Sequence, residues 1–223
     1  MLLLAADTSG KHGSIALAKC GPDATCHVIE VVPLAGGTFS AQLVPQIATL
    51  LLKHQLGKQN IDGFAVVSGP GSFTGLRVGL AAIKALAEVL SKPIAPVSLL
   101  EAVAVASGSG GKVMAALDAG RNEIYLGEYD IQGSPKVLSE HLLTKEEFMA
   151  SARGHLIVTP DANVAAVARD AGLEVKEIAR PRSDTIVQLG WKKIVAGDTV
   201  APEALEANYI RRSDAEILGK AGF

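Results

Sequence analysis

Two short segments carry residues whose types and spacing could do chemistry. Asp7-Thr8-Ser9-Gly10 sets a carboxylate beside two hydroxyls and a glycine, directly after the apolar run Leu2 to Ala6. A carboxylate at a strand end, next to small hydroxyl residues, can hold a hydrated Mg²⁺ against phosphates. The same four residues also read as a turn in which Asp7 accepts backbone hydrogen bonds. The second segment is Gly69-Pro70-Gly71-Ser72-Phe73-Thr74-Gly75. Gly71 and Gly75 permit close approaches that a side chain would block. The loop opens a helix whose first amides favour anions, and Ser72 or Thr74 is placed to cap it. Asp7, Ser9, Gly71, Ser72 and Thr74 are therefore candidate phosphate or nucleotide contacts. No Lys-Ser or Lys-Thr follows Gly75, so the loop is not of the Walker A type.

Other chemistries lack a signature. The histidines, at 12, 27, 54, 141 and 155, never fall at the i, i+3 or i+4 spacing of a helical metal motif. No Gly-x-Ser-x-Gly elbow is present. Cys20 and Cys26 are too few for a disulfide framework and lack a second pair for zinc. They could face each other across a hairpin, but reduced structural thiols are the expectation.

Composition narrows the class. Of 223 residues, 48% are hydrophobic and 20% charged, enough for a substantial core. The formal net charge is -2, with 21 basic against 23 acidic residues and no Lys/Arg-rich run. A protein that grips nucleic acid alone usually shows a basic face, so any RNA would be held mostly by another subunit. The start has no basic region ahead of its apolar run, against a signal peptide. No apolar stretch reaches the ~18 residues that span a bilayer. A cytoplasmic protein with no membrane contact is expected.

The elements that must position these residues follow from periodicity. Leu2 to Ala6, Ser14 to Ala18 and His27 to Val32 read as three strands, and Ala41 to Leu56 as a helix closed by Gly57. Pro45 is tolerable only near that helix's first turn, which sets its start at or after Ser40. Gly63 to Ser68 is a strand, a long helix runs from the glycine loop to about Leu90, and Ile94 to Val97 is a further strand. The second half repeats the outline: a helix over 98–106, strands over 113–117, 123–129 and 137–143, and a capping box at Thr144-Lys145-Glu146-Glu147. A strand at 155–159, a helix at 162–171 and a helix at 185–196, capped by Ser183 or Asp184 and closed by Gly197, complete it. A three-strand meander followed by alternating helices and strands is the ribonuclease-H-like layout. Two in tandem suggest an α/β architecture of the actin, Hsp70 and sugar-kinase (ASKHA) type. The expected domains are 1–98 and 99–201, with 202–223 as a C-terminal segment packing back on the first.

Two helices carry surplus apolar surface. Leu43, Ile47, Leu50 and Leu51 recur along the first. On the second, Gly75, Gly79 and Ala82 share a small-residue face beside Leu76, Leu80, Ile83 and Leu86. Small residues let a second helix approach closely, and adjacent helices with spare apolar surface point to an interface with another chain.

Ser68-Gly-Pro-Gly-Ser-Phe-Thr-Gly-Leu-Arg-Val-Gly79 resembles the hallmark of the TsaB (YeaZ) family, once grouped with putative glycoproteases. Asp7-Thr8-Ser9, Ser40-Ala-Gln-Leu-Val-Pro45, Asp118-Ala-Gly-Arg-Asn-Glu-Ile-Tyr125 and Tyr209-Ile210-Arg211 match in order. The resemblance implies a non-catalytic subunit of the machinery that makes threonylcarbamoyladenosine on tRNA. Such a subunit activates its paralogue TsaD by heterodimerising through the helices at 41–56 and 74–90, with TsaE joining the assembly. Alone it forms homodimers through the same face, and it meets tRNA through the complex. It implies no catalytic residue, no metal and no intrinsic cofactor. Any ATP or ADP with Mg²⁺ would lie at a site shared with the partner, using Asp7, Ser72, Thr74 and Arg77. The Arg77 guanidinium could clamp a phosphate or pair with a carboxylate there. The chain departs from the family pattern at Phe39, at Ser68 and at Thr159-Pro160-Asp161, which replaces the glycine turn under an adenine. An ATP-dependent phosphotransferase of the same fold is the alternative, with Asp7 holding Mg²⁺. The older glycoprotease label suggests a metalloprotease, for which no metal motif is present.

Overall fold

The computed structural model describes residues 1–22, 25–132 and 135–210. Two compact units form, one from 1–102 with 181–207, the other from 103–180 continuing at 208.

In the first unit, β1 (Leu2–Asp7), β2 (His12–Cys20), β3 (Cys26–Ala35), β4 (Gly63–Gly69) and β5 (Ile94–Ser98) form one sheet in the order β3-β2-β1-β4-β5. The meander β1–β2–β3 pairs antiparallel, while β4 runs parallel to β1 and β5 parallel to β4. Every residue of β1 and β4 is buried, which requires cover on both sheet faces. Helix α1 (Phe39–Lys53) lies against β3 and α2, and α2 (Phe73–Leu90) lies against β1, β4 and β5. The other face is covered by α6 (Ser183–Ala196), which crosses all five strands.

That placement of α6 corrects the expected domain division. The helix at the end of the 99–201 segment packs on the first sheet, not the second. Gly190 lets it lie close: a Cβ there would stand 2.3 Å from the Cβ of Ala65 on β4. Ser183, expected as a cap, is instead its first helical residue, and Arg182 occupies the cap position without a side-chain bond. The Ser183 hydroxyl donates to the Ser14 carbonyl at 2.7 Å, and its amide donates to Ser14 Oγ at 3.0 Å, tying α6 to β2. Gly197 ends the helix in the left-handed conformation as expected, at φ 76°.

Two expectations for α1 also need correction. The helix begins at Phe39, so Pro45 lies inside it, beyond the first turn. Gly57 does not cap it. The helix stops at Lys53 and the chain reverses at Gln55, at φ 56°.

Helix α3 (Leu99–Ala106) starts in the first unit and ends in the second, whose strands are β6 (Lys112–Gly120), β7 (Glu123–Asp130), β8 (Lys136–Thr144), β9 (Leu156–Thr159) and β10 (Glu174–Glu177). Their order, β10-β9-β6-β7-β8, repeats that of the first sheet strand for strand. The repeat is the two-domain ribonuclease-H-like architecture of ASKHA type. β10 carries no sequence signal because it is short and mostly exposed. Helices α4 (Lys145–Ser151) and α5 (Ala162–Asp170) close a core containing Met114, Ile124, Leu126, Phe148, Ile157 and Val164. The Thr144–Glu147 capping box forms as expected: Glu147 N donates to Thr144 Oγ1 at 3.2 Å and Thr144 N to Glu147 Oε2 at 2.8 Å.

The C-terminal segment divides. Residues 202–207 belong to the first unit, where Lys84 Nζ donates to the Glu203 carbonyl at 3.1 Å. Asn208 donates to Glu140 Oε2 at 2.8 Å in the second. The rest of the expected segment, 211–223 including Arg211, lies outside the described residues. Cys20 and Cys26, expected as free thiols, are joined as a disulfide across the β2–β3 hairpin. Antiparallel register sets them opposite each other, a relation that their spacing alone left open.

Candidate functional site

The two chemically suggestive segments meet at the N-terminal end of α2. Ser72 N donates to the Ser9 carbonyl at 2.7 Å, and Thr8 Oγ1 donates to the Gly75 carbonyl at 2.7 Å. Ser72 is the helix cap: its Oγ accepts from Gly75 N at 3.3 Å. Gly71 just before α2, and Gly75 and Gly79 within it, each take the β1–β2 turn at close range. A Cβ would stand 2.4 Å from Ser9 O at Gly71, 2.0 Å from Thr8 O at Gly75 and 2.3 Å from Thr8 Oγ1 at Gly79. The small-residue face expected to receive another chain is thus filled by the chain's own turn.

Asp7 is likewise turned to structural use. It is 2% exposed, and its Oδ1 accepts from both Ser9 N and Ser9 Oγ, at 2.8 and 2.6 Å. Ser9 is also 2% exposed. The set Asp7, Ser9, Gly71, Ser72, Thr74 and Arg77 therefore splits: Asp7 and Ser9 lie beneath, while Gly71, Ser72, Thr74 and Arg77 face solvent. Arg77 stacks over the Phe73 ring, 3.7 Å from its centroid, a cation–π arrangement. The side of the loop on which Gly71, Gly75 and Gly79 would carry a Cβ is already occupied by the β1–β2 turn. Among the described residues no group of three or more His, Cys, Asp or Glu side chains converges to hold a metal ion.

The expected interface residues also change place. Leu43, Ile47, Leu50 and Leu51 on α1, and Leu76, Leu80 and Ile83 on α2, are buried in the unit's own core. Ala82 and Leu86 are half-buried. Both helices nevertheless carry a second apolar stripe, facing away from that core. On α1 it comprises Ala41, Val44, Ala48 and Leu52, at i, i+3, i+7 and i+11, with Val44 52% and Leu52 77% exposed. On α2 it comprises Val78, Ala81, Ala85 and Val89, the last 71% exposed. The same 3.6-residue period reveals these positions in the sequence, but the larger Leu and Ile residues of the core stripe mask them.

One end of α1 is fixed electrostatically. Glu30 on β3 accepts from Lys53 Nζ at 2.7 Å through Oε1, and its Oε2 pairs with His54 Nε2 at 2.8 Å. These hydrogen bonds, first from Lys53 and then from His54, hold the Glu30 carboxyl below its ordinary value of 4.5.

A model of the TsaD family, described as tRNA N6-adenosine threonylcarbamoyltransferase, matches residues 31–156, over half of the chain. The tRNA threonylcarbamoyladenosine biosynthesis protein TsaB of Haemophilus influenzae is 28% identical over 226 residues, 95% of this chain and 94% of that protein. The chain belongs to the TsaB/YeaZ branch of the TsaD family. The TsaB of Bacillus subtilis is also 28% identical, over 97% of this chain and 96% of its own. A solved structure from Pseudomonas aeruginosa, described as similar to peptidase YEAZ, superposes with a TM-score of 0.77 at 26% identity, covering 94% of this chain and 99% of that one. No described helix is long and apolar enough to cross a membrane.

Proposed function

We propose that this chain is a non-catalytic subunit for threonylcarbamoyladenosine formation on tRNA, acting by pairing with and activating a TsaD-type transferase. TsaE joins the assembly, and tRNA is met through the complex. The names of the full-length relatives support the pathway, and the match to the transferase family supports a paralogous partner. The observation that carries the pairing role is the outward apolar stripe on α1 and α2, with Leu52 77% and Val89 71% exposed. Exposed apolar surface that is contiguous over neighbouring helices marks an interaction site. A paralogue of the same fold offers a matching helix pair, so the two faces can pack by pseudo-twofold symmetry; a second copy of this chain takes the place when the partner is absent.

The buried Asp7 and the filled glycine row favour a binding role over phosphotransfer. This reading assigns no intrinsic cofactor. Any ATP or ADP with Mg²⁺ would need groups from the partner, with Ser72, Thr74 and Arg77 on this side.

The test is a reconstituted modification assay with tRNA, threonine, bicarbonate, ATP and the other components, with and without this protein. Product formation should collapse on its omission, and the isolated chain should show no turnover. Modification that proceeds equally well without it would remove the proposed role.

A further inference from the structure

β2 and β3 end in register on a bonded pair, Cys20 opposite Cys26, with Cα atoms 4.1 Å apart. The residue after Cys20 receives the chain's single tryptophan: Trp191 Nε1 donates to the Gly21 carbonyl at 3.1 Å. Trp191 is 4% exposed and belongs to α6, the helix that crosses the first sheet. Cys20 is also fixed to β1, since its amide donates to the Met1 carbonyl and the Met1 ammonium donates to its carbonyl, both at 2.8 Å. The bond therefore lies where the ends of three strands meet the tryptophan of the covering helix. The two cysteines differ in exposure: Cys20 is 4% exposed whereas Cys26 is half-buried.

We propose that Cys20–Cys26 is a thiol–disulfide exchange site, acted on by a dithiol reductant, whose state sets the seating of Trp191 at the end of the first sheet. The reductant's thiolate attacks Sγ of Cys26, the more exposed cysteine. The S–S bond breaks, a mixed disulfide forms on Cys26, and Cys20 leaves as a thiolate that takes up a proton. The second thiol of the reductant then displaces Cys26, closing its own disulfide. Two electrons and two protons pass to the cysteine pair. Once the bond is cut, the hairpin end is held by backbone pairing, including Gly21 N to the Thr25 carbonyl at 2.8 Å. The Gly21 carbonyl is then less firmly presented to Trp191.

The test equilibrates the purified full chain in glutathione buffers from fully reduced to fully oxidised. Free thiols are counted by alkylation and intact mass, and Trp191 emission is recorded on the same samples. Two labels should appear in the reduced buffer and none in the oxidised one. The emission should move to longer wavelength as labelling rises, and the melting temperature should fall by roughly 5 °C. The Cys26→Ser chain should show the reduced-state emission in every buffer. Two labels in oxidised glutathione, or an emission that is the same in both states, would overturn the proposal. Both readings come from the unmodified chain, so neither depends on a variant that folds.

Discussion

Thr8 is bonded to the helix that it supports: its Oγ1 donates to the Gly75 carbonyl at 2.7 Å and occupies the space where a side chain at Gly79 would begin. Gly75→Ala puts a methyl 2.0 Å from a backbone oxygen, and Gly79→Ala puts one 2.3 Å from the Thr8 hydroxyl. Overpacking of this kind costs about 1–3 kcal/mol, with about 2–4 °C of melting temperature per kcal/mol in a chain of this size. Gly75→Ala should lose more, because a main-chain oxygen cannot rotate away. In a double-mutant cycle, Thr8→Ala should couple to Gly79→Ala through the removed hydroxyl. Melting curves of the four chains check this, and a Gly79→Ala chain as stable as the parent would contradict the packing.

Leu52→Asp and Val89→Asp alter side chains that contribute little to the core, being 77% and 71% exposed. Melting should stay within about 0.5 kcal/mol of the parent. Affinity for the proposed TsaD-type partner should fall at least tenfold for each, the equivalent of about 1.4 kcal/mol. Calorimetric titration against the partner reads it. Unchanged affinity in both would locate the interface elsewhere.

Glu30 is held below its ordinary value by Lys53 and then by His54. A carboxyl with a depressed folded-state value stabilises the fold above its unfolded value and loses that contribution as pH falls through the folded one. Glu30→Gln should therefore lower the melting temperature slightly at pH 7. The difference from the parent should shrink once the pH drops below 4.5, the ordinary value. The pair is exposed enough for salt to weaken it, so the effect should also diminish in concentrated NaCl. A difference that persists unchanged into strong acid would exclude this origin.

Ser183→Ala removes the donor to the Ser14 carbonyl and leaves a buried contact of α6 incomplete. Loss of a buried partner costs about 1–3 kcal/mol. Chemical denaturation should show that decrease with an unchanged slope. Ser183→Ala as stable as the parent would mean that the Ser183 hydroxyl contributes nothing to holding α6 on β2.

Much of the order of elements was legible in the chain. Alternation and helical period located β1 to β9 and the described helices other than α4, which Thr144-Lys145-Glu146-Glu147 announced by its own cap. These are local matters, set by neighbours within a few residues, and so was the resemblance carried by Gly69 to Gly79. Sequence by itself also determined that α2 has a small-residue face. Only the tertiary structure decided what that face meets, because Thr8 lies 67 positions from Gly75. For the same reason it decided that α6 returns to the first sheet, where Ser14 and Ser183 are 169 positions apart. It also decided that Leu43 and Ile47 are core while Leu52 and Val89 are surface. A period of 3.6 marks the stripes on a helix but not which stripe the sheet covers, and that choice belongs to the packed chain.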